Sequence, residues 1–131
     1  MSRPIRATLD LSALRGNFAV ARQRGAGARL WAVLKANAYG HGLMRVAEAL
    51  DELADGFALL DIEDAIALRE AGFRQPILLL EGFFAADELP LLAEHGLTPV
   101  VHCLEQTDML ARAVLPARLP AYLKLNTGMN R

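Results

Sequence analysis

Cysteine is nearly absent from this sequence. Cys103 stands alone among 131 residues, so no internal disulfide forms, which excludes a disulfide-stapled secreted scaffold and fits a reducing compartment. Charge of one sign is not in excess either. With 14 basic and 15 acidic side chains the formal charge is -1, unlike the strongly basic footprint of a nucleic-acid or anionic-membrane surface. No apolar run approaches the roughly 20 residues of a membrane span. The basic start, Met1 to Arg6, leads into a stretch interrupted by Asp10, Arg15 and Asn17, so no signal peptide is expected and the cytoplasm is the expected compartment. Lysine is also scarce. Twelve of the basic residues are arginine, and only Lys35 and Lys124 are lysine. A guanidinium does not lose its proton to become a nucleophile, so the two remaining amines are candidates for positions that need one.

What is present is a foldable chain. Hydrophobic residues make up 53 % and charged residues 22 %, enough to bury a core in one domain or in a piece of a larger one. Short apolar runs alternate with helical patterns. Arg6 to Leu11 reads as an extended piece, and Ser12 as the cap of a helix with Leu14 and Phe18 on one stripe, stopped by Gly25 and Gly27. Strands are expected at Leu30–Leu34, Gly56–Leu60, Pro76–Leu80, Thr98–His102 and Ala121–Leu125. Helices are expected at about 43–54, from the Asp61 cap to Ala71, at 87–95 and at 105–114. Strands apolar on both faces that alternate with helices form a parallel sheet covered by helices. Their regular spacing of roughly 20–25 residues favours an α/β fold of the (β/α)8 TIM-barrel type over a doubly wound sheet. Such a barrel needs about 250 residues, so five strands correspond to its first part. A half-barrel of this kind, with unpaired strand edges, is expected to self-associate.

In parallel α/β proteins, chemistry sits on the loops after the carboxyl ends of the strands. Two such loops stand out. The first is Lys35-Ala36-Asn37-Ala38-Tyr39-Gly40-His41-Gly42, where a lysine leaves a buried strand beside Trp31, Val33 and Leu34. Partial desolvation favours the neutral amine that forms a Schiff base; the alternative is a lysine that snorkels to solvent. Tyr39 and the flanking glycines offer a phenol and close backbone amides to a phosphate, although Gly-His-Gly is neither a Walker loop nor a dinucleotide fingerprint. The second loop is Lys124 to Arg131. Lys124 and Asn126 alternate with Leu123 and Leu125, giving one polar strand face that points inward in a barrel, with Arg131 at the rim. The three histidines lack metal-ligand spacing and read as loop or helix-end residues, so no metal is expected. Cys103 reads as a buried small residue, and Phe83-Phe84 as a packing or partner-facing loop.

Trp31-Ala32-Val33-Leu34-Lys35-Ala36-Asn37-Ala38-Tyr39-Gly40-His41-Gly42 resembles the pyridoxal phosphate attachment segment of bacterial alanine racemases. The segments Pro76 to Phe84 and Lys124 to Arg131 resemble two further stretches of that family, in the expected order. The resemblance covers residues 1–131 but only about the first third of a family member. It implies the N-terminal portion of a pyridoxal phosphate-binding barrel, with the rest of the barrel and a β-rich domain outside this chain, in a homodimer. By the same resemblance, Lys35 holds pyridoxal 5'-phosphate as a Schiff base and is one of two bases, and Tyr39 binds the cofactor phosphate. Arg131 lies near the phenolic oxygen and the substrate carboxylate. Lys124 matches a lysine that is carbamylated in some relatives, and many members carry aspartate where this chain has Asn126.

The implied activity is interconversion of L-alanine and D-alanine, supplying D-alanine for peptidoglycan or catabolising it. The second base in the family is a tyrosine from the partner subunit's β domain, so residues 1–131 alone are expected to racemise slowly or not at all. The partners implied are the small-molecule substrate and a second subunit, with no nucleic acid and no membrane. Two alternatives remain at this point: a non-enzymatic pyridoxal phosphate carrier on a similar barrel, and a related enzyme acting on another amino acid.

Overall fold

A computed structural model describes residues 4–130. Residues 4–10 form no strand, and Leu11, the end of the extended piece expected from Arg6, already belongs to a helix. Helix α1 spans Leu11–Arg24, and its cap is Asp10 rather than Ser12. The Asp10 Oδ1 accepts the backbone N–H of Ser12 at 2.9 Å and of Ala13 at 3.0 Å. A carboxylate is the stronger acceptor, and its charge suits the positive end of the helix, so the helix starts earlier than a serine cap implies. The elements that follow are β1 (Trp31–Val33), a short left-handed turn labelled α2 (Lys35–Tyr39), α3 (Leu43–Leu50), β2 (Gly56–Leu59), α4 (Ile62–Glu70), β3 (Ile77–Leu79), α5 (Glu88–Glu94), β4 (Leu97–Val101), α6 (Leu104–Arg112) and β5 (Tyr122–Leu123). Asp61 occupies the cap position of α4 as expected, without a side-chain capping bond.

The five strands pair in the order β1-β2-β3-β4-β5, all parallel. A doubly wound sheet reverses its order at a switch point. Here the order never reverses, and right-handed crossovers then put the helices between strands on a single face. This is the arrangement that opens a (β/α)8 barrel. Among the described residues no helix is long and apolar enough to cross a membrane.

Register separates the two faces of the sheet. Ala32, Phe57, Ile77 and Leu97 lie side by side and are all buried. They join Leu34, Leu59 and Leu79 in one core with Val46, Leu50, Leu68, Leu89 and Leu92 of the helices. The neighbouring row, Val33, Ala58, Leu78 and Thr98, belongs to the opposite face and lies outside that core. That face is incompletely covered: Val33 is 41 % exposed. Gly56 lets Trp31 lie across the start of β2, since a Cβ there would come within 2.6 Å of the indole.

The ends of the strands opposite the loops singled out above are held by side chains on backbone. Arg69 of α4 donates to the carbonyls of Phe73 (3.0 Å), Gln75 (2.8 Å), His95 (2.8 Å) and Gly96 (3.2 Å), joining the segments that feed β3 and β4. Asp55 does the same between β1, α1 and β2. It accepts the Leu30 N–H at 2.7 Å and Arg22 Nη2 at 2.9 Å, and Arg22 also donates to the Leu53 carbonyl. The backbone bond from Leu30 holds the Asp55 carboxyl below its ordinary value of 3.8, burial opposes this, and Arg22 adds to the lowering. A carboxyl depressed in the folded state stabilises above its unfolded pKa, and that contribution is lost as pH falls through the folded value. Asp55→Asn is therefore expected to be less stable than the native protein at neutral pH. The difference should shrink as the pH drops below 3.8, as read from denaturation midpoints across a pH series.

Candidate active site

The less covered face of the sheet ends in a cleft of about 620 Å³ at the carboxyl ends of the strands. Alternation explains which residues reach it. Side chains two apart along a strand share a face, so from Val33, Ala58 and Leu78 the next residues on that face are Lys35, Leu60 and Leu80. All three line the cleft. Val101 pairs with Leu123, which puts His102 beside Lys124, and both line it too. Glu81, Phe84, Leu125, Asn126, Thr127 and Met129 close the rim. The two lysines of the chain, 89 positions apart in sequence, thus face one cavity.

The apolar walls differ from the sequence expectation. Trp31, Val33 and Leu34 do not line the cleft around Lys35. Trp31 packs on Gly56 and meets Tyr122 edge-on at 6.4 Å, and Leu34 turns into the helix-covered core. Leu60, Leu80 and Phe84, from the neighbouring strand ends, take their place. Lys35 is half-buried and Lys124 is exposed. β5 is the last strand of the described sheet, and its two residues are exposed like Lys124 after them. Asn126 spends its side chain on its own loop, accepting the N–H of Gly128 and of Asn130, both at 3.1 Å. Tyr39 is 60 % exposed and does not line the cleft. Arg131 lies outside the described residues.

Lys35 leads into an unusual backbone. Ala36, Asn37, Ala38 and Tyr39 have φ of 52°, 53°, 52° and 55°. Four successive residues with a Cβ form a left-handed helical turn, in which each costs about 1–2 kcal/mol relative to the right-handed form. Such strain persists only where the surroundings over-determine it. Within the turn Ala38 N–H donates to the Leu34 carbonyl at 2.8 Å and Gly40 N–H to the Ala36 carbonyl at 3.1 Å. Ala38 is buried, and His41 Nδ1 lies 2.9 Å from the Ala38 carbonyl oxygen.

The opposite wall is fixed by a residue that the sequence did not single out. Gln106 is the one buried polar side chain among the described residues. Its Nε2 donates to the carbonyls of Glu81 and Phe83, both at 3.0 Å, and its Oε1 accepts the His102 N–H at 2.9 Å. The His102 ring adds a contact from Nε2 to the Glu81 carbonyl at 3.1 Å, so Nε2 carries the proton there. Gly82 makes the close approach possible: it has φ of 79°, and a Cβ would fall 2.1 Å from the Val100 carbonyl oxygen. The adjacent phenylalanines divide, Phe83 into the core and Phe84 onto the cleft. Cys103 is half-buried rather than buried, at the cap position of α6. The signal that would have found Leu60, Leu80 and His102 is strand parity shared with Lys35, which needs the register of each pair.

Residues 9–131 match the family described as alanine racemase, N-terminal domain. The chain is 57 % identical over 131 residues to an alanine racemase of Erwinia tasmaniensis, covering 100 % of this chain and 36 % of the relative. It is 56 % identical over the same span, with the same coverage, to a catabolic alanine racemase of Klebsiella aerogenes. Among solved structures, a biosynthetic alanine racemase from Pseudomonas aeruginosa superposes with a TM-score of 0.94 at 43 % identity, over 99 % of this chain and 36 % of that one. The chain thus spans about a third of the length of the relatives it matches.

Replacing Gln106 by leucine keeps bulk but strips partners from three backbone groups. Gln106→Leu is expected to cost about 2–4 kcal/mol in chemical denaturation of the full-length protein. Gln106→Glu, which donates to neither carbonyl when ionised, should fall on the same side.

Proposed function

The chain belongs to the alanine racemase N-terminal domain family, and from that premise we propose that it supplies the cofactor-bearing part of a pyridoxal phosphate-dependent enzyme that interconverts L- and D-alanine. The observation that carries the reading is the Lys35 amine at the carboxyl end of β1, on a cleft shared with Lys124 and walled by Leu60, Leu80 and Phe84. The donor set suits the group. A primary amine meets an aldehyde, flat apolar walls meet a pyridine ring, and cationic or hydrogen-donating groups at Lys124 and His102 meet an anionic ligand. When bound, the cofactor acts as an electron sink that makes a Cα proton of the substrate removable.

The residues of this chain then divide the work. Lys35 would hold the cofactor covalently through its amine and, once the substrate's own amine has displaced it, would take or return the Cα proton on one side. The opposite side needs a base from outside these residues, contributed in a homodimer by the second subunit. Leu60, Leu80 and Phe84 keep water from the reacting face, which strengthens the polar contacts there. By the family resemblance Tyr39, outside the cleft lining, would bind the phosphate, Arg131, outside the described residues, would bind the substrate carboxylate, and Lys124, carbamylated or free, lines the cleft. The protein works in the cytoplasm, where alanine is its substrate.

Treating the full-length protein with pyridoxal phosphate and borohydride, then mapping the adduct by peptide mass spectrometry, tests the reading, with Lys124 as internal control. A stoichiometric adduct on Lys35 alone is expected, and Lys35→Ala should lower alanine racemisation by on the order of 10³-fold or more. Equal labelling of both lysines, or of neither, would overturn the assignment.

A further inference from the structure

We propose that Asn37 is a positioning residue for the Lys35 amine, locking the left-handed turn Ala36–Tyr39 onto helix α3; this rests on the reading of Lys35 as the cofactor lysine. The turn is anchored at its start by Leu34, buried in the helix-covered core. Its far end needs an anchor as well, because a strained backbone relaxes wherever it is free. Most of the bonds named above run within the turn or to its immediate flanks. Asn37 makes the exceptions. Its carbonyl accepts the N–H of Gly42 at 2.9 Å, and its Oδ1 accepts the N–H of Leu43 at 2.7 Å.

Leu43 is the first residue of α3, and the position before it is Gly42, which has no side chain to offer as a cap. Asn37 therefore caps α3 from six residues upstream, satisfying a helix N–H that otherwise lacks a partner. α3 is in turn rooted by Val46, Ala47 and Leu50, all buried. The path from core to α3 to Asn37 to the turn sets where the chain leaves β1, and hence where the Lys35 amine stands. Asparagine suits both halves of the task. It tolerates positive φ better than other residues with a Cβ, and its side-chain oxygen reaches a nearby backbone donor.

Three variants of the full-length protein separate these halves. Asn37→Asp keeps the acceptor and tolerates the backbone, Asn37→Gly keeps only the backbone, and Asn37→Ala keeps neither. His41→Ala, which removes the other side-chain contact to the turn, serves as comparison. The readouts are the dissociation constant for pyridoxal phosphate from the absorbance of its Lys35 adduct, and amide exchange over residues 36–43.

The expected result is Asn37→Gly and Asn37→Ala at least about tenfold weaker, with Asn37→Asp and His41→Ala near native. Exchange over 36–43 should rise in the Gly variant while β2 and β3 stay protected, a pattern that a global loss of fold does not give. Native affinity and native protection in Asn37→Gly would overturn the proposal, as would equal loss in Asn37→Asp. If the native protein forms no adduct at Lys35, the functional reading fails instead. Exchange then decides on the turn alone: unchanged protection in Asn37→Gly overturns the role of Asn37, and a local rise supports it.

Discussion

Alternation along parallel strands in fixed register is the constraint from which the rest of this structure follows. Because side chains two apart share a face, one set of residues builds the core with the helices and the other is left for the inner surface of the sheet. A slip of one residue in any strand would exchange the two sets. The register is pinned by Phe57, Leu59, Ile77, Leu79 and Leu97, which are nearly inaccessible to solvent and pack against helices. The cleft is a by-product of that pinning. Lys35, Leu60, Leu80, His102 and Lys124 converge on it because each stands at the next inward position past, or at the end of, a fixed strand.

The two ends of the sheet are built for different purposes. At the amino ends, Arg69 and Asp55 tie loops together through backbone carbonyls and amides, an economical way to hold crossovers in place. At the carboxyl ends the devices are more strained and more closely fitted: a left-handed turn after Lys35, and a glycine at Gly82 pressed against the Val100 carbonyl. Strain of this kind is retained where a precise side-chain direction is needed. The buried Gln106 and the capping Asn37 are the polar fasteners of the two walls, one on each side of the cavity.

Much of this was legible in the sequence. The five apolar runs, the glycines after helices and the regular spacing of the strands identify the parallel sheet, because strands buried on both faces read as continuous apolar stretches. The Lys35 segment stands out in the sequence through the scarcity of lysine and through a long motif, and the structure places Lys35 on the cleft. The remainder depends on information that one-dimensional patterns do not hold. Asp10 and Ser12 are both good caps, and only the path of the chain decides between them. The left-handed turn leaves no propensity signature beyond Asn37, since alanine and tyrosine give no hint of positive φ. Gln106 looks like any polar residue of a surface helix until β3 and β4 are paired and its amide lies beneath their loops. Trp31 was expected against Lys35 and shares its face by alternation, but it stands four residues back along β1, at the amino end of the sheet, where Gly56 makes room for it.

The central claim is that sheet register brings Lys35 and Lys124 to one cavity at the carboxyl ends of the strands. Treatment of the full-length native protein, free of cofactor, with a short amine-to-amine cross-linker, followed by peptide mapping, tests it most directly. An intramolecular link between Lys35 and Lys124 is the result predicted, lost when the protein is unfolded before reaction. Modification of both lysines singly, with no link between them in the folded protein, would contradict it.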